Sequence, residues 1–259
     1  LKSITSKDNI IYKETRKLST KKGRDESGLY LVEGENMIQE ALEHEIPLRH
    51  ILVRDKGGGV PHFVFTKPGK APGLPIFLLD QRLFDQLAQT ETSQGVLGVA
   101  EKPMNQKALP KEGNVLVLDR LQDPGNIGTL IRTAEAAGYE GVVILKGTVD
   151  VFSPKVVRAT AGSLFRIPLF HYASKEDLVE ALRKTGKRII TTDLTAKTMY
   201  YQERLQKNIA LVIGNEGNGV DPYFREHGDV CIKIPMKGKV DSLNAAVAAS
   251  ILMYESMRK

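Results

Sequence analysis

The feature that most constrains this 259-residue chain is a set of short, uninterrupted apolar runs in its second half. They are Val115–Leu118, Val142–Leu145, Arg188–Thr191, Ala210–Ile213 and a shorter one at Val230–Ile234. A strand with one face in water alternates apolar and polar residues, whereas a continuous run implies a sheet covered on both faces. Helical patterns over Leu130 to Ala137, Ser174 to Lys184 and Leu243 to Met257 supply the cover. Residues 114–259 therefore read as an α/β domain built on a parallel sheet.

The first hundred residues follow a different pattern. Asp8 to Leu18 and Glu35 to Glu45 are helical, the second with Met37, Ile38, Ala41 and Leu42 on one face. Leu29–Glu33, His50–Arg54, Ile76–Leu79 and Gly95–Ala100 read as strands, and Arg82 to Gln89 as a further helix. Gly57, Gly58 and Gly59 break the pattern, as do the prolines and glycines of residues 67–75. Pro103 and Pro110, among polar residues, mark a linker. The expected organisation is a small α/β domain over residues 1–102, a linker over 103–113 and the larger domain over 114–259.

Composition narrows the function classes. With 41% hydrophobic and 26% charged residues the chain is of ordinary globular make-up. No stretch approaches the apolar length of a membrane span, and its start carries no secretory h-region. Cys231 is the single cysteine, without Cys or His at zinc spacing, so a reducing cytoplasmic compartment is expected and no metal is assigned. Residues 1–24 hold eight basic groups against two acids, an excess equal to the +6 of the whole chain. Lys13, Arg16, Lys17, Lys21, Lys22 and Arg24 are thus candidate phosphate contacts, or else a solvated helix face.

Three motifs sit where apolar runs give way to small and polar residues. They are Asn126-Ile127-Gly128-Thr129-Leu130-Ile131-Arg132, Gly214-Asn215-Glu216-Gly217-Asn218-Gly219, and Ile234-Pro235-Met236 with Ser242-Leu243-Asn244. Loops at strand ends are where open α/β folds bind ligands. The glycine loop has neither the dinucleotide spacing G-x-G-x-x-G nor the Lys-Ser/Thr of a phosphate-binding P-loop. Glycine here permits positive φ and lets a ligand lie against bare backbone.

Arg132 is a permanently charged donor suited to a developing anion, or to a phosphate. Asn126 either orients its neighbours or caps a helix. Glu216 either orders the glycine loop or pairs with Arg132. Ser242 and Asn244 offer donors and acceptors, and Ser242 equally suits a helix cap. Arg158 and Ser163 form a further polar segment, read either as phosphate contacts or as a helix ending at Gly162.

The three motifs, in this order, resemble those of the SpoU (TrmH-like) RNA ribose 2′-O-methyltransferases of the SPOUT class. Lys13 to Lys17, Tyr30-Leu31-Val32-Glu33-Gly34 and the helix to Leu42 are similar to that family's substrate-binding domain, which is like ribosomal protein L30e. The resemblance implies an L30e-like domain followed by a trefoil-knotted, Rossmann-like SPOUT domain, a homodimer formed through the latter, and S-adenosylmethionine as cofactor. Gly214, Gly219, Ile234, Met236 and Leu243 would hold the cofactor, and Arg132, Asn126, Glu216, Ser242 and Asn244 would serve catalysis. Arg158 and Ser163 would face RNA. The implied substrate is ribosomal RNA, with transfer RNA or a silent RNA-binding role on the same scaffold as alternatives. Small residues Ala245, Ala246, Ala248, Ala249 and Ser250 suit close helix contact in a dimer, or packing inside the domain.

Overall fold

The computed structural model describes residues 2–55, 73–90, 92–103 and 108–258. The expectations for Gly57–Gly59, for residues 67–72 and for linker residues 104–107 lie outside the described residues. The chain divides into two compact units: Leu1–Pro103 with Asp150–Phe165, and Met104–Val149 with Arg166–Lys259.

The first unit has a five-stranded mixed sheet. Its strands are β1 (Lys2–Ile4), β2 (Leu29–Glu33), β3 (Leu48–Arg54), β4 (Ile76–Leu79) and β5 (Val96–Glu101), in the order β1-β4-β3-β5-β2. β1 and β3 run parallel to β4, while β5 is antiparallel to both β3 and β2. Helices α1 (Ile10–Lys17), α2 (Lys21–Ser27), α3 (Glu35–Glu43) and α4 (Gln81–Asp85) accompany it. Tyr12, Leu52, Leu79, Phe84 and Leu97 form a buried cluster that binds α1 and α4 to the sheet.

Residues 150–165 depart from the expected boundaries, because they join this first unit and not the second. Their helix α6 (Pro154–Ala159) packs on β2, and Phe152 lies 5.0 Å from the Tyr30 ring. Arg24 explains the attachment. It is 3% exposed, pairs with Asp150 at 2.7 Å and donates to the Leu18 carbonyl. A guanidinium buried in this way has its donors spent inside the protein, which removes Arg24 from the phosphate contacts. Ser163 is likewise buried, so its expected RNA-facing position is corrected too. Arg158 stands exposed on α6.

The second unit carries seven parallel strands. These are β6 (Val115–Leu118), β7 (Gly141–Leu145), β8 (Leu169–Tyr172), β9 (Arg188–Thr192), β10 (Thr198–Met199), β11 (Ile209–Ile213) and β12 (Val230–Lys233). The order is β10-β12-β9-β11-β6-β7-β8. Every residue of β6, β7 and β11 is buried, as continuous apolar runs require. Helices α5 (Pro124–Ala136), α7 (Lys175–Lys184), α8 (Pro222–His227) and α9 (Ala245–Glu255) complete the unit.

The order places a switch point between β6 and β11. From β6 the chain proceeds through α5 to β7 on one side. From β11 it proceeds through α8 to β12 on the other. A crevice opens at the carboxyl ends of adjacent strands whose connections diverge in this way, and ligands of open α/β sheets bind there.

Candidate active site

The loops leaving β6, β11 and β12 contain the three motifs, and a directed chain of hydrogen bonds ties them together. Asn244 caps α9: its Oδ1 accepts from the Ala246 and Val247 amides at 2.9 and 3.3 Å. That leaves its Nδ2 to donate to Asn126 Oδ1 at 2.9 Å. Asn126 in turn donates from Nδ2 to Glu216 Oε1 at 3.1 Å. Each amide's orientation is thus dictated by the group before it, beginning from backbone donors that cannot reverse. Asn126, Glu216 and Asn244 come one from each motif.

Glu216 also accepts from the Gln122 and Asp123 amides, each at 3.2 Å. These amides lie at the N-terminus of α5, where the helix dipole favours an anion. Partial burial pushes the Glu216 carboxyl up, but hydrogen bonds from its own amide, Asn126, Asp123 and Gln122 outweigh this and hold it below the usual value. Glu216 therefore orders the start of α5 and does not pair with Arg132. The cap of α5 is Asp123, whose Oδ1 accepts from the Asn126 amide at 2.7 Å, so Asn126 itself is free to bridge the motifs. Ser242 caps nothing and stands exposed.

The glycine loop is held from inside. Asn215 Oδ1 accepts from the Gly217 and Asn218 amides at 3.0 Å, and the Gly219 amide donates to the Asn215 carbonyl at 2.8 Å. Gly219 has φ 67°, the left-handed region that glycine enters freely, and a Cβ there would meet nothing within 4 Å. Gly214 is glycine for another reason. A Cβ on it would fall 2.2 Å from the backbone of Gly219 and Val220, so the loop could not close on itself. Its place is set by protein packing before any ligand arrives.

Beneath this loop lies a cluster that the motifs do not contain. Asp119, buried at the end of β6, accepts from Arg120 Nε at 2.9 Å and from the Asp221 amide at 2.8 Å. Arg120 adopts φ 58°, and its carbonyl accepts from Gln122 Nε2 and Asn215 Nδ2 at 3.0 and 2.9 Å. Asp221 caps α8 and pairs with Lys175 at 2.8 Å. A strained residue persists only where its surroundings over-determine it, and here they anchor the β6 and β11 loops to each other. The sequence signal was an acid directly after an apolar strand.

Four expected participants stand apart from the network. Arg132 is exposed on α5, six residues beyond Asn126 and so about 9 Å further along the helix axis. It has no hydrogen-bond or ion-pair partner among the described residues. Ile234, Met236 and Leu243 are half-buried in the segment between β12 and α9, which has no regular structure. Among the described residues no three His, Cys, Asp or Glu side chains cluster as a metal site, and no helix is long and apolar enough to cross a membrane.

Comparison with known proteins decides the family. The SpoU rRNA methylase family matches residues 113–254, more than half of the chain. The chain belongs to this family. Residues 9–98 match the MRM3-like substrate-binding domain. The chain is 37% identical over 254 residues to RlmP of Bacillus subtilis (strain 168), a 23S rRNA (guanosine(2553)-2′-O)-methyltransferase, covering 98% of each. It is similar to the AdoMet-bound rRNA methyltransferase of Sinorhizobium meliloti, with TM-score 0.87 and 30% identity over 98% of this chain and 97% of that one. It is similar also to the SpoU methyltransferase AviRb of Streptomyces viridochromogenes in complex with AdoMet, with TM-score 0.86 and 30% identity over 96% and 97%. The fold is thus that of the SPOUT methyltransferases, and S-adenosylmethionine is the cofactor.

The residues present fit that cofactor. Gly217 and Gly219 present exposed backbone beside which a Cβ would find open space or only the Asn215 side chain. Ile234, Met236 and Leu243 offer partly exposed apolar surface suited to an adenosyl group, with backbone donors and acceptors around it.

Proposed function

We infer that this protein transfers a methyl group from S-adenosylmethionine to a ribose 2′-hydroxyl of ribosomal RNA, and we propose a guanosine of the large-subunit RNA as the target. The observation that carries the reading is the hydrogen-bonded chain Asn244–Asn126–Glu216, which joins all three family motifs at the switch point of the parallel sheet. The near-complete coverage shared with a 23S rRNA enzyme supports the choice of ribosomal over transfer RNA.

The cofactor, when bound, supplies an electrophilic sulfonium methyl. The chain's own residues do the rest. Gly214 and Gly219 shape the loop against which the cofactor lies, and Ile234, Met236 and Leu243 exclude water from its apolar part. The Asn244–Asn126–Glu216 chain fixes these loops in mutual register, so little reorganisation is needed on binding. Glu216, with its oxygens engaged by three separate groups and its pKa lowered, is a poor proton acceptor. Arg132 stays charged at any working pH and has no acid partner to satisfy it. Its role is to stabilise the negative charge that develops on the ribose 2′-oxygen. Ser242 and Asn244 stand beside the cofactor segment as hydrogen-bonding groups for the ribose.

RNA is held by a basic surface on the first unit, where Lys13, Arg16, Lys17, Lys21 and Lys22 are exposed, and by Arg158 on α6. Lys13 is partly neutralised by Asp8 at 2.8 Å and Lys22 by Glu26 at 3.7 Å, so Arg16, Lys17 and Lys21 carry more of the attraction. The protein works as a symmetric dimer through the second unit. Of the small residues of α9, Ala246, Ala249 and Ser250 are taken up by packing inside the unit, since the two alanines are buried and α9 packs on α5, with Ser250 Oγ 3.4 Å from Thr133 Oγ1. The surface left for a second copy is the opposite stripe of Val247, Ile251 and Tyr254, where Val247 and Tyr254 are 50% and 54% exposed. Incubating the protein with isotopically labelled S-adenosylmethionine and unmodified ribosomal RNA, then mapping 2′-O-methyl positions, tests the reading. Label confined to transfer RNA would replace it.

A further inference from the structure

At the mouth of the crevice, the amide, carbonyl and guanidinium of Arg120 are each held by a different partner. Arg120 follows β6, and partners reach it from the loops after β7 and β11. Its amide donates to Thr148 Oγ1 at 3.1 Å, and Thr148, itself buried, donates onward to the Leu118 carbonyl at 3.0 Å. Its guanidinium donates from Nε and Nη2 to the two oxygens of Asp119 at 2.9 and 3.1 Å. Its carbonyl accepts from Asn215 Nδ2 at 2.9 Å.

These ties hold Arg120 at φ 58°. The left-handed region crowds Cβ against the backbone, and an arginine stays there only when its surroundings compel it. The compulsion has a direction. With the amide pinned to Thr148, a return to negative φ would swing the carbonyl away from Asn215. Gly147, at φ 98°, leaves room for the side chain, since a Cβ there would lie 3.1 Å from Arg120 Cγ. Gln122 closes the other side, donating from Nε2 to the Arg120 and Gly147 carbonyls at 3.0 and 2.5 Å.

The side chain supplies the lock. Asp119 is 2% exposed, and its Oδ2 accepts also from the Asp221 amide at 2.8 Å. Arg120 Nη2 lies 3.7 Å from Asp221, which is itself tied to Lys175 at 2.8 Å. A buried carboxylate is costly without a cation beside it, so Arg120 is kept at Asp119 and in its strained shape. The guanidinium holds the residue, and the carbonyl is what it holds in place.

Asn215 carries the constraint into the glycine loop. Its Oδ1 is taken by the Gly217 and Asn218 amides, which fixes the sense of the side-chain amide and leaves Nδ2 facing Arg120. One side chain therefore joins the turn of the loop to the Arg120 carbonyl. Gly217 and Gly219, whose bare backbone is offered to the cofactor, lie in that turn. If the carbonyl moves, the turn loses the contact that sets its tilt against β6.

We propose that Arg120 is a positioning residue for S-adenosylmethionine. Its left-handed backbone, locked by Thr148 and Asp119, aims its carbonyl at Asn215 and so sets the glycine loop in the attitude that the cofactor meets. Arg120 does this without touching the cofactor. The proposal rests on the reading of that loop as the cofactor's seat, and not on the choice of RNA.

The test measures calorimetric affinity for S-adenosylmethionine and melting temperature in variants of the whole chain. Arg120→Val puts a β-branched residue where the left-handed region excludes it, and should weaken binding about tenfold, the scale of one lost hydrogen bond. Arg120→Gly enters that region freely and should restore the parent affinity. It should still melt at a lower temperature, because Asp119 is left buried without its partner. A purely structural role would move affinity and stability together. Asn215→Ala should weaken binding as Arg120→Val does, and the two together should cost little more than either, because they cut one link. Should Arg120→Val not fold, Thr148→Val, which frees the Arg120 amide, takes its place in the cycle with the same expected result. Parent affinity in Arg120→Val, equal weakness in Arg120→Gly, or additive losses in the double variant would each overturn the proposal, while Asn215→Ala and Gly214→Val still bind weakly. If those two also keep the parent affinity, the glycine loop does not seat the cofactor, and the reading beneath the proposal falls with it.

Discussion

Glu216 accepts hydrogen bonds from Gln122, Asp123 and Asn126, and protonation would turn one of its acceptors into a donor facing donors. Its pKa in the folded protein is lowered. The stabilisation it gives is therefore complete above the ordinary glutamate value of about 4.3 and is lost as pH falls through the lower folded value. Cofactor affinity should be flat from neutral pH down to about 5 and fall in more acid solution. In Glu216→Gln it should be weak already at pH 7, with that acid limb much reduced; calorimetry at stepped pH measures both. Arg132, unpaired and always charged, behaves differently. Arg132→Ala should lower the single-turnover rate about 100- to 1000-fold while leaving cofactor affinity intact. Arg132→Lys should recover part of the loss, since it keeps the charge but not the planar fork. Near-normal chemistry with lost RNA binding would make Arg132 a phosphate clamp. The glycines show how far single residues were legible. Composition marked the loop, and Gly219 does take the positive φ expected of it. The reason for Gly214 was hidden, because its neighbour is the backbone of Gly219 and Val220, folded back onto it. Gly214→Val should disorder the loop itself, so that the melting temperature falls together with calorimetric affinity for the cofactor.

At the scale of elements, the continuous apolar strands were legible because burial on both faces leaves a compositional mark. β6, β7, β9, β11 and β12 fall within a residue or so of their expected bounds. β10 has two residues and β1 three, too few for any periodicity to register. The short helix α8 was missed for the same reason, although it begins with a proline in its first turn, whereas α6 was foreseen as one of two readings, a helix ending at Gly162, and ends at Ala159. The helix bearing Arg132 begins at Pro124, earlier than its apolar pattern suggests, because Asp123 and not Asn126 caps it. That shift moved Arg132 more than two turns into the helix. At the opposite end of the network, Asn244 both caps α9 and holds Asn126. Asn244→Ala should cost about 1 kcal/mol through the lost cap. It should also weaken cofactor binding, whereas Asn244→Asp should restore the cap alone. Thermal denaturation and calorimetry on the two variants separate these effects.

At the scale of the whole molecule, the partition of the chain differs from a simple break at the linker. Asp150–Phe165 belongs with the first unit through a buried ion pair that no local pattern could announce, since Arg24 and Asp150 lie 126 residues apart. The N-terminal charge excess was read correctly as a surface except at Arg24, whose burial depends on that distant partner. Neutralising Lys21 and Lys22 together should weaken RNA binding and flatten its dependence on salt, while sparing the single-turnover rate at saturating RNA. The α9 stripe makes its own prediction. Light scattering at micromolar concentration should give a dimer mass, and Tyr254→Asp with Val247→Asp should give a monomer. The central claim, ribose methylation of ribosomal RNA, is tested most directly by the position of the transferred methyl. After reaction with labelled S-adenosylmethionine and unmodified large-subunit RNA, nuclease digestion should yield the label in one alkali-resistant dinucleotide carrying a 2′-O-methylguanosine. Label on a base, or none with this RNA under conditions where the cofactor binds, would contradict the account.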